Sequence, residues 1–333
     1  MILVTGGTGM VGSHILLELL KNHSHVRALK RCDSNLNIIQ KTFSYYKKEH
    51  LLKNIEWIDG DILDIPSLYD AIDGCKFVYH AAALVSFHKK EHKDLFKINV
   101  EGTANIVNVC LDKKIEKLAY VSSIATLNRY NVNGLINEKN YWKPNKKNSV
   151  YSISKYLAEQ EVWRGTQEGL NNVIINPSVI LGPGNWNNGS SKIFQQSYDG
   201  LKYYTNGVTG YVDVVDVAKS LIYLMDSEII NERFIINCEN FTYQDIFNWI
   251  ADEMKKPRPH IKVTPFLKEF AWRAEAVRSF FSRKKPLLTK ETANQAMSKS
   301  FYSNEKIKSQ GYEFQDIKSS IKKYSNWFLS ECH

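Results

Sequence analysis

Short apolar and β-branched runs at 2–4, 25–29, 55–58, 77–80, 118–122 and 173–176 alternate with longer stretches whose apolar residues recur at helical spacing. The short runs fit strands buried in a sheet, and the longer stretches fit helices with one apolar face. Across 11–20, Val11, Ile15, Leu16, Leu19 and Leu20 form such a stripe, able to bury one helix face on a sheet. This alternation predicts an α/β fold of Rossmann type: a doubly wound parallel sheet. After Pro177 the texture changes. The 182–189 loop is rich in Gly, Pro and Asn, 211–217 and 233–237 read as returns to the sheet, and 241–255 with everything after it reads as mainly helical. A smaller, discontinuous C-terminal domain is therefore expected to close over the first.

Composition narrows the class. With 333 residues, 43% hydrophobic and 24% charged, the chain is long enough for a sizeable core and unlike a disordered or fibrous one. No apolar run reaches the ~18 residues of a membrane span. Met1 leads straight into the first strand without a signal-like segment. The five cysteines are widely spaced and form no Cys-x-x-Cys pair, so a reducing, cytoplasmic setting without disulfides or a structural metal is expected. The net charge of +9 sits in the last quarter, where residues 255–333 carry 17 Lys and Arg against 7 Asp and Glu. That excess suits an anionic substrate or a lipid surface, or serves solubility alone; no nucleic-acid partner is expected.

Thr5-Gly6-Gly7-Thr8-Gly9-Met10-Val11-Gly12 follows the first strand and opens the first helix. Glycines there permit a tight turn and let backbone N–H groups approach a pyrophosphate, so Gly6, Thr8, Gly9, Met10, Val11 and Gly12 are expected to hold a dinucleotide. Residues 1–180, with 211–240 returning, would then be the dinucleotide-binding domain, and 181–210 with 241–333 the substrate-binding domain. At the end of the second strand a basic side chain would accept a 2′-phosphate and an acidic one a free 2′-hydroxyl. Lys30-Arg31 stand there, so NADP(H) is favoured with Arg31 as the phosphate contact, while Asp33 nearby keeps NAD(H) open. Gly60-Asp61-Ile62 closes the third strand, placing Asp61 and Ile62 for the adenine.

Tyr151 and Lys155 are four residues apart on a helical segment and project from one face. A phenol with a pKa near ~10 is a weak base, but a neighbouring ammonium favours the phenolate. Tyr151 thus becomes a proton donor and acceptor, Lys155 can hold ribose hydroxyls, and Ser123 can hydrogen-bond a substrate carbonyl as charge develops on it.

The order of glycine loop, Lys-Arg strand end, Gly-Asp turn, His80-Ala81-Ala82-Ala83, Asn99-Val100-Glu101-Gly102-Thr103, Ser122-Ser123, Tyr151 and Lys155 resembles the extended short-chain dehydrogenase/reductases. That family includes nucleotide-sugar epimerases and dehydratases, dihydroflavonol reductases and hydroxysteroid dehydrogenases; the resemblance covers residues 1 to about 240 and, loosely, the rest. It implies that Ala81, Ala82 and Ala83 line the cofactor, that Asn99 sits at a helix kink supporting the lysine, and that Ser123 is catalytic with Ser122 as fallback. It also implies that Pro177 and Val179 border the nicotinamide, and it suggests a homodimer. Leu127-Asn128-Arg129 departs from the Val-Tyr-Gly of sugar-nucleotide members, as Arg31 departs from their acidic strand end. The expected function is an NADP(H)-dependent oxidoreductase moving hydride between nicotinamide and a carbonyl or secondary alcohol of a small to medium substrate. A nucleotide-sugar epimerase or dehydratase with bound NAD is the alternative, and a non-catalytic dinucleotide sensor is an alternative of another class.

Two motifs are set aside. His88-Lys89-Lys90-Glu91-His92 spells a zinc-peptidase order but has no further ligand cluster, and Ser152-Ile153-Ser154-Lys155 lacks the partners of acyl transfer. Within 266–285, Phe266, Phe270, Ala274, Val277 and Phe281 align with Lys268, Arg273, Arg278, Arg283, Lys284 and Lys285 nearby. That stripe is expected to pack on the core, with contact to an anionic membrane surface as the alternative.

Overall fold

The computed structural model describes residues 1–129, 134–282 and 289–332. Its strands are β1 (Ile2–Thr5), β2 (Val26–Lys30), β3 (Ile55–Asp59), β4 (Phe77–His80), β5 (Lys117–Val121), β6 (Asn172–Pro177), β7 (Val179–Leu181), β8 (Tyr203–Tyr204), β9 (Val208–Asp213), β10 (Glu232–Ile236), β11 (Glu239–Thr242) and β12 (Ile261–Lys262). The helices are α1 (Met10–Leu19), α2 (Asn37–Tyr45), α3 (Ile65–Ile72), α4 (His92–Leu95), α5 (Gly102–Asp112), α6 (Val150–Gln167), α7 (Lys192–Tyr198), α8 (Val214–Met225), α9 (Tyr243–Glu253), α10 (Pro265–Ser282), α11 (Lys290–Gln295), α12 (Glu305–Lys308) and α13 (Ile317–Cys332).

Seven strands form one parallel sheet in the order β3-β2-β1-β4-β5-β6-β10. Alternation along β1 sends Ile2 and Val4 to one face and Leu3 to the other. On the first face they meet Ile15 and Leu16 of α1, Phe43 of α2 and Leu221 of α8. On the second, Leu3 joins Leu68 of α3, Ile106 of α5 and Val162 of α6. Both faces are therefore covered, as an all-parallel sheet requires. Strand order reverses between β1 and β4, which opens a crevice at the carboxyl ends of the strands.

The return of the chain differs from expectation at 211–217. β10 does add to the free edge of β6, but β9 instead pairs with β7 and β11 in a separate three-stranded sheet. With β10 on that edge the main sheet has no place for β9 beside β6. The helix expected from 241 starts at Tyr243, because Thr242 caps it reciprocally with Asp245. The small sheet shares a core with α7, α9 and α13 through Leu181, Tyr211, Phe194, Ile250, Tyr324 and Phe328.

The aromatic stripe of α10 does not pack on the core. Phe266 and Phe270 are 84% and 66% exposed, whereas the adjoining stripe through Leu267, Ala271 and Trp272 is the half-buried one. The side chains of Val277 and Phe281, and Arg283, Lys284 and Lys285, lie outside the described residues. No helix among the described residues is long and apolar enough to cross a membrane.

Ile174, fully buried in the middle of β6, tests the central layer. Ile174→Ala should cost about 2–5 kcal/mol of stability. A urea midpoint within error of the wild type would show that this strand is not part of a packed core.

Candidate active site

β1 ends at Thr5, and the chain turns into α1 through backbone that side chains would obstruct. Gly6 has φ +74°, and a Cβ there would stand 2.6 Å from the Ala82 nitrogen. A Cβ on Gly12 would lie 2.1 Å from the Gly6 carbonyl oxygen, so the first turn of α1 can pack on the loop only with glycine there. Gly9 donates to the Gly6 carbonyl at 3.0 Å and caps α1 without a side chain. The first N–H groups of a helix have no intrahelical acceptor, and here they open at the crevice between β1 and β4. This cradle fits a dinucleotide pyrophosphate. The thioether of Met10 is turned aside, 3.6 Å from the Ser191 hydroxyl, and Val11 packs against the core of the main sheet, so both face the cradle through backbone. Thr8 is half-buried on the loop.

Neighbouring strands end at the same crevice. Arg31, just past β2, is exposed, with its Nε donating to Asp33 at 3.3 Å, while Lys30 is paired with Asp59. Asp61 accepts at one carboxylate oxygen from the Leu63 amide at 2.9 Å, and Ile62 is buried beneath it. After β4, Ala81 donates to the Thr5 carbonyl at 3.2 Å, Ala82 is half-buried and Ala83 is exposed. Pro177 ends β6 and half-buried Val179 begins β7.

Beneath the alanines His80 is fully buried between Thr5 Oγ1 at 2.7 Å and Thr103 Oγ1 at 3.0 Å. Burial, with the Lys155 charge assisting, lowers its pKa to about 3, so its imidazole is neutral and threads two threonines together. The His80 ring stacks on Tyr120, with 5.5 Å between centroids.

Tyr120 receives the central charge. Lys155, 2% exposed, donates from Nζ to the Tyr120 hydroxyl and to the Val121 carbonyl oxygen, both at 2.9 Å. An ammonium has three hydrogens, so one donor is left for a further acceptor. Burial pulls the Lys155 pKa down to about 7, against the opposing pull of the Glu159 carboxylate. One turn earlier on α6, the Tyr151 ring packs edge-on against Phe87 with centroids 5.6 Å apart, and the Ser123 side chain lies near enough to bear on its phenol. Burial raises the Tyr151 pKa and the Ser123 contact opposes that rise. Ser123 follows β5 and Lys155 reaches the carboxyl end of that strand at Val121, the end of the sheet that carries the glycine cradle, with Tyr151 one turn before Lys155 on α6.

Two of the expected residues do other work. Ser122 turns its hydroxyl away, donating to Glu159 at 2.5 Å, because alternation after β5 puts successive side chains on opposite sides. Asn99 lies in a π-helical turn, 96–101, and its amide bonds the Leu84 backbone and Ser154 Oγ at 2.7–3.0 Å rather than Lys155 itself. Ser154 immediately precedes Lys155, so Asn99 is bonded to α6 beside the lysine. Tyr120, His80 and Glu159 were not singled out from the sequence. Glu159 was legible in principle, since it continues the Tyr151 and Lys155 face of α6 by one more turn. Among the described residues no group of three or more His, Cys, Asp or Glu side chains is arranged to hold a metal. His88 instead accepts from the Lys90 amide, and Glu91 is bonded to Ser86.

Residues 2–237 match the NAD dependent epimerase/dehydratase family. A putative dihydroflavonol 4-reductase of Synechocystis is 29% identical over 98% of this chain and 93% of its own length. Sterol demethylase protein B of Methylococcus capsulatus is 27% identical over 85% of this chain and 84% of its own length. Among solved structures, UDP-glucose 4-epimerase of Thermotoga maritima superposes with TM-score 0.78 over 100% of this chain and 99% of its own, at 20% identity.

The cradle makes its own prediction. Gly12→Ala should weaken NADPH binding about tenfold or more, equivalent to about 1.4 kcal/mol, read by quenching of tryptophan fluorescence on protein whose circular dichroism is unchanged. Unaltered affinity would place the dinucleotide elsewhere.

Proposed function

The chain belongs to the NAD dependent epimerase/dehydratase family and is an NAD(P)-dependent oxidoreductase, and we propose that it uses NADP(H) to interconvert a carbonyl and a secondary alcohol on a small to medium substrate. The observation that supports this reading is the buried Lys155 ammonium held at the carboxyl end of β5, the end of the sheet that carries the glycine cradle, with Tyr151 one turn before it on α6 and Ser123 just past the Val121 carbonyl it binds. Gly6, Thr8, Gly9, Met10, Val11 and Gly12 would hold the pyrophosphate, Arg31 the 2′-phosphate, and Asp61 and Ile62 the adenine. Ala81, Ala82, Ala83, Pro177 and Val179 would border the nicotinamide, and the unused donor of Lys155 its ribose. When bound, the nicotinamide supplies or accepts the hydride.

The chain's own groups handle the proton. Tyr151 has its pKa raised by burial, so in the free protein its phenol stays protonated at neutral pH and is ready to donate to a carbonyl oxygen that gains charge. Ser123 hydrogen-bonds that oxygen, and the Lys155 ammonium favours the phenolate left behind. In the alcohol-oxidising direction the same phenolate takes the proton back. Residues 1–180 with α8 and β10 of the 211–240 return would form the cofactor part, and 181–210 with 241–333 the substrate part. Arg31 in place of an acidic residue favours NADP(H), and with Leu127-Asn128-Arg129 it weighs against the epimerase reading.

Tyr151→Phe should lower turnover by about 10²–10⁴-fold, the usual contribution of a positioned acid or base, while NADPH affinity stays within error. Turnover near wild type would end this assignment, and tighter binding of NADH than of NADPH would end the cofactor assignment. The rate also carries a pH signature. Because kcat/KM reports the free enzyme and Lys155 is charged only below about 7, kcat/KM for ketone reduction should decline as pH rises through that value. Lys155→Met should be slow at every pH and lack this limb.

A further inference from the structure

Glu159 is fully buried and receives donors from four parts of the fold. Its Oε2 lies 2.5 Å from the Ser122 hydroxyl, 2.9 Å from the Thr126 hydroxyl and 2.9 Å from Asn176 Nδ2. Its Oε1 accepts from Arg233 Nη1 at 3.0 Å, an ion pair to β10, and from Trp163 Nε1 at 3.4 Å. Arg233 is held in turn by the Glu138 carbonyl oxygen and stands over the Tyr141 ring, 5.4 Å from its centroid.

The three Oε2 partners surround one residue. Ser122 precedes Ser123, Thr126 ends the short turn that Ser123 caps, and Asn176 also donates to the Ser123 carbonyl oxygen at 3.1 Å. Glu159 itself lies four residues beyond Lys155 and eight beyond Tyr151 on α6. A buried carboxylate is expensive to retain, and packed apolar side chains would close the same space as well or better. Its retention therefore asks for a task that apolar packing would not perform.

We propose that Glu159 is a positioning residue of the reaction: its carboxylate ties the backbone around Ser123 to the helix carrying Tyr151 and Lys155, and so sets the spacing of hydroxyl, phenol and ammonium. This rests on the assignment of those three groups as the reacting site. The same carboxylate also acts through its charge. Lys155 is bonded to Tyr120 of β5 and its charge bears on His80 of β4, while on its own helix Glu159 acts on it from one turn further along and Tyr151 lies one turn before it. Tyr120 has its phenol pKa pushed up by burial, His80 is neutral, and Glu159 is the group that favours the lysine's protonated form. Arg233, on the far side of Glu159, balances the carboxylate.

The test uses the full chain loaded with NADPH, its oxidation followed with dihydroquercetin, cyclohexanone and acetophenone as ketones, beside Tyr151→Phe. Glu159→Gln keeps the shape and removes the charge. It should leave NADPH affinity within about twofold, lower kcat/KM about tenfold or more, and move the limb near pH 7 to lower pH, because the neutral amide no longer supports the ammonium. Glu159→Asp keeps the charge and shortens the reach, so it should lower kcat while the limb stays in place. If Glu159→Gln fails to fold, Thr126→Val, which removes one hydroxyl from the carboxylate, should still lower kcat severalfold with unchanged NADPH affinity.

Folded Glu159→Gln with wild-type kcat/KM and an unmoved limb would overturn the proposal. So would a loss of rate accounted for entirely by a smaller folded fraction, or a wild-type kcat in Thr126→Val. If Tyr151→Phe turns over normally, the site assignment itself has failed. If Tyr151→Phe is inactive and Glu159→Gln is not impaired, the positioning role alone has failed.

Discussion

A lysine ammonium buried to 2% exposure organises this molecule. Removing such a charge from water costs several kcal/mol unless hydrogen bonds and opposite charge compensate. Lys155 meets that demand with the Tyr120 hydroxyl and the Val121 carbonyl oxygen below it and the Glu159 carboxylate one turn along α6. Each partner fixes something else. Tyr120 stacks on His80, His80 joins Thr5 to Thr103, and Thr5 is the residue from which the glycine loop departs. Lys155 and the glycine loop are thus two ends of one buried chain of contacts rather than neighbours by chance.

The parallel sheet makes that chain short. β1, β4 and β5 lie side by side and run in the same direction, so their carboxyl ends deliver Thr5, His80 and Ser123 to one rim. The reversal of strand order beside β1 leaves a crevice at that rim, with the N-terminus of α1 opening into it. The second, smaller core behind β7, β9 and β11 packs against the start of α1 through Met10 and Val11 and includes Val179 just past the end of β6, so it abuts the same rim.

Much of this was legible from local pattern. The strands of the main sheet as far as β6 were readable as short apolar runs, and the glycine loop by its place between strand and helix. Tyr151 and Lys155 were readable because a helix repeats every 3.6 residues. The basic stripe of α10 was equally visible, yet periodicity could not say which of two adjoining stripes would be covered, and Phe266 and Phe270 proved to be on the outside.

By itself, then, the sequence determined the α/β class, the cradle and the spacing of phenol and ammonium, all of which depend on residues within a strand, a loop or two helical turns of each other. Tertiary structure alone decided that β9 leaves the main sheet, that Ser122 donates to Glu159 while Ser123 caps the turn that follows, and that Asn99 bonds Ser154. It alone brought Arg233 from β10 to a carboxylate on α6. Those outcomes rest on contacts across tens of residues, and such contacts are set by how the whole chain closes its layers. No short window of sequence carries that information.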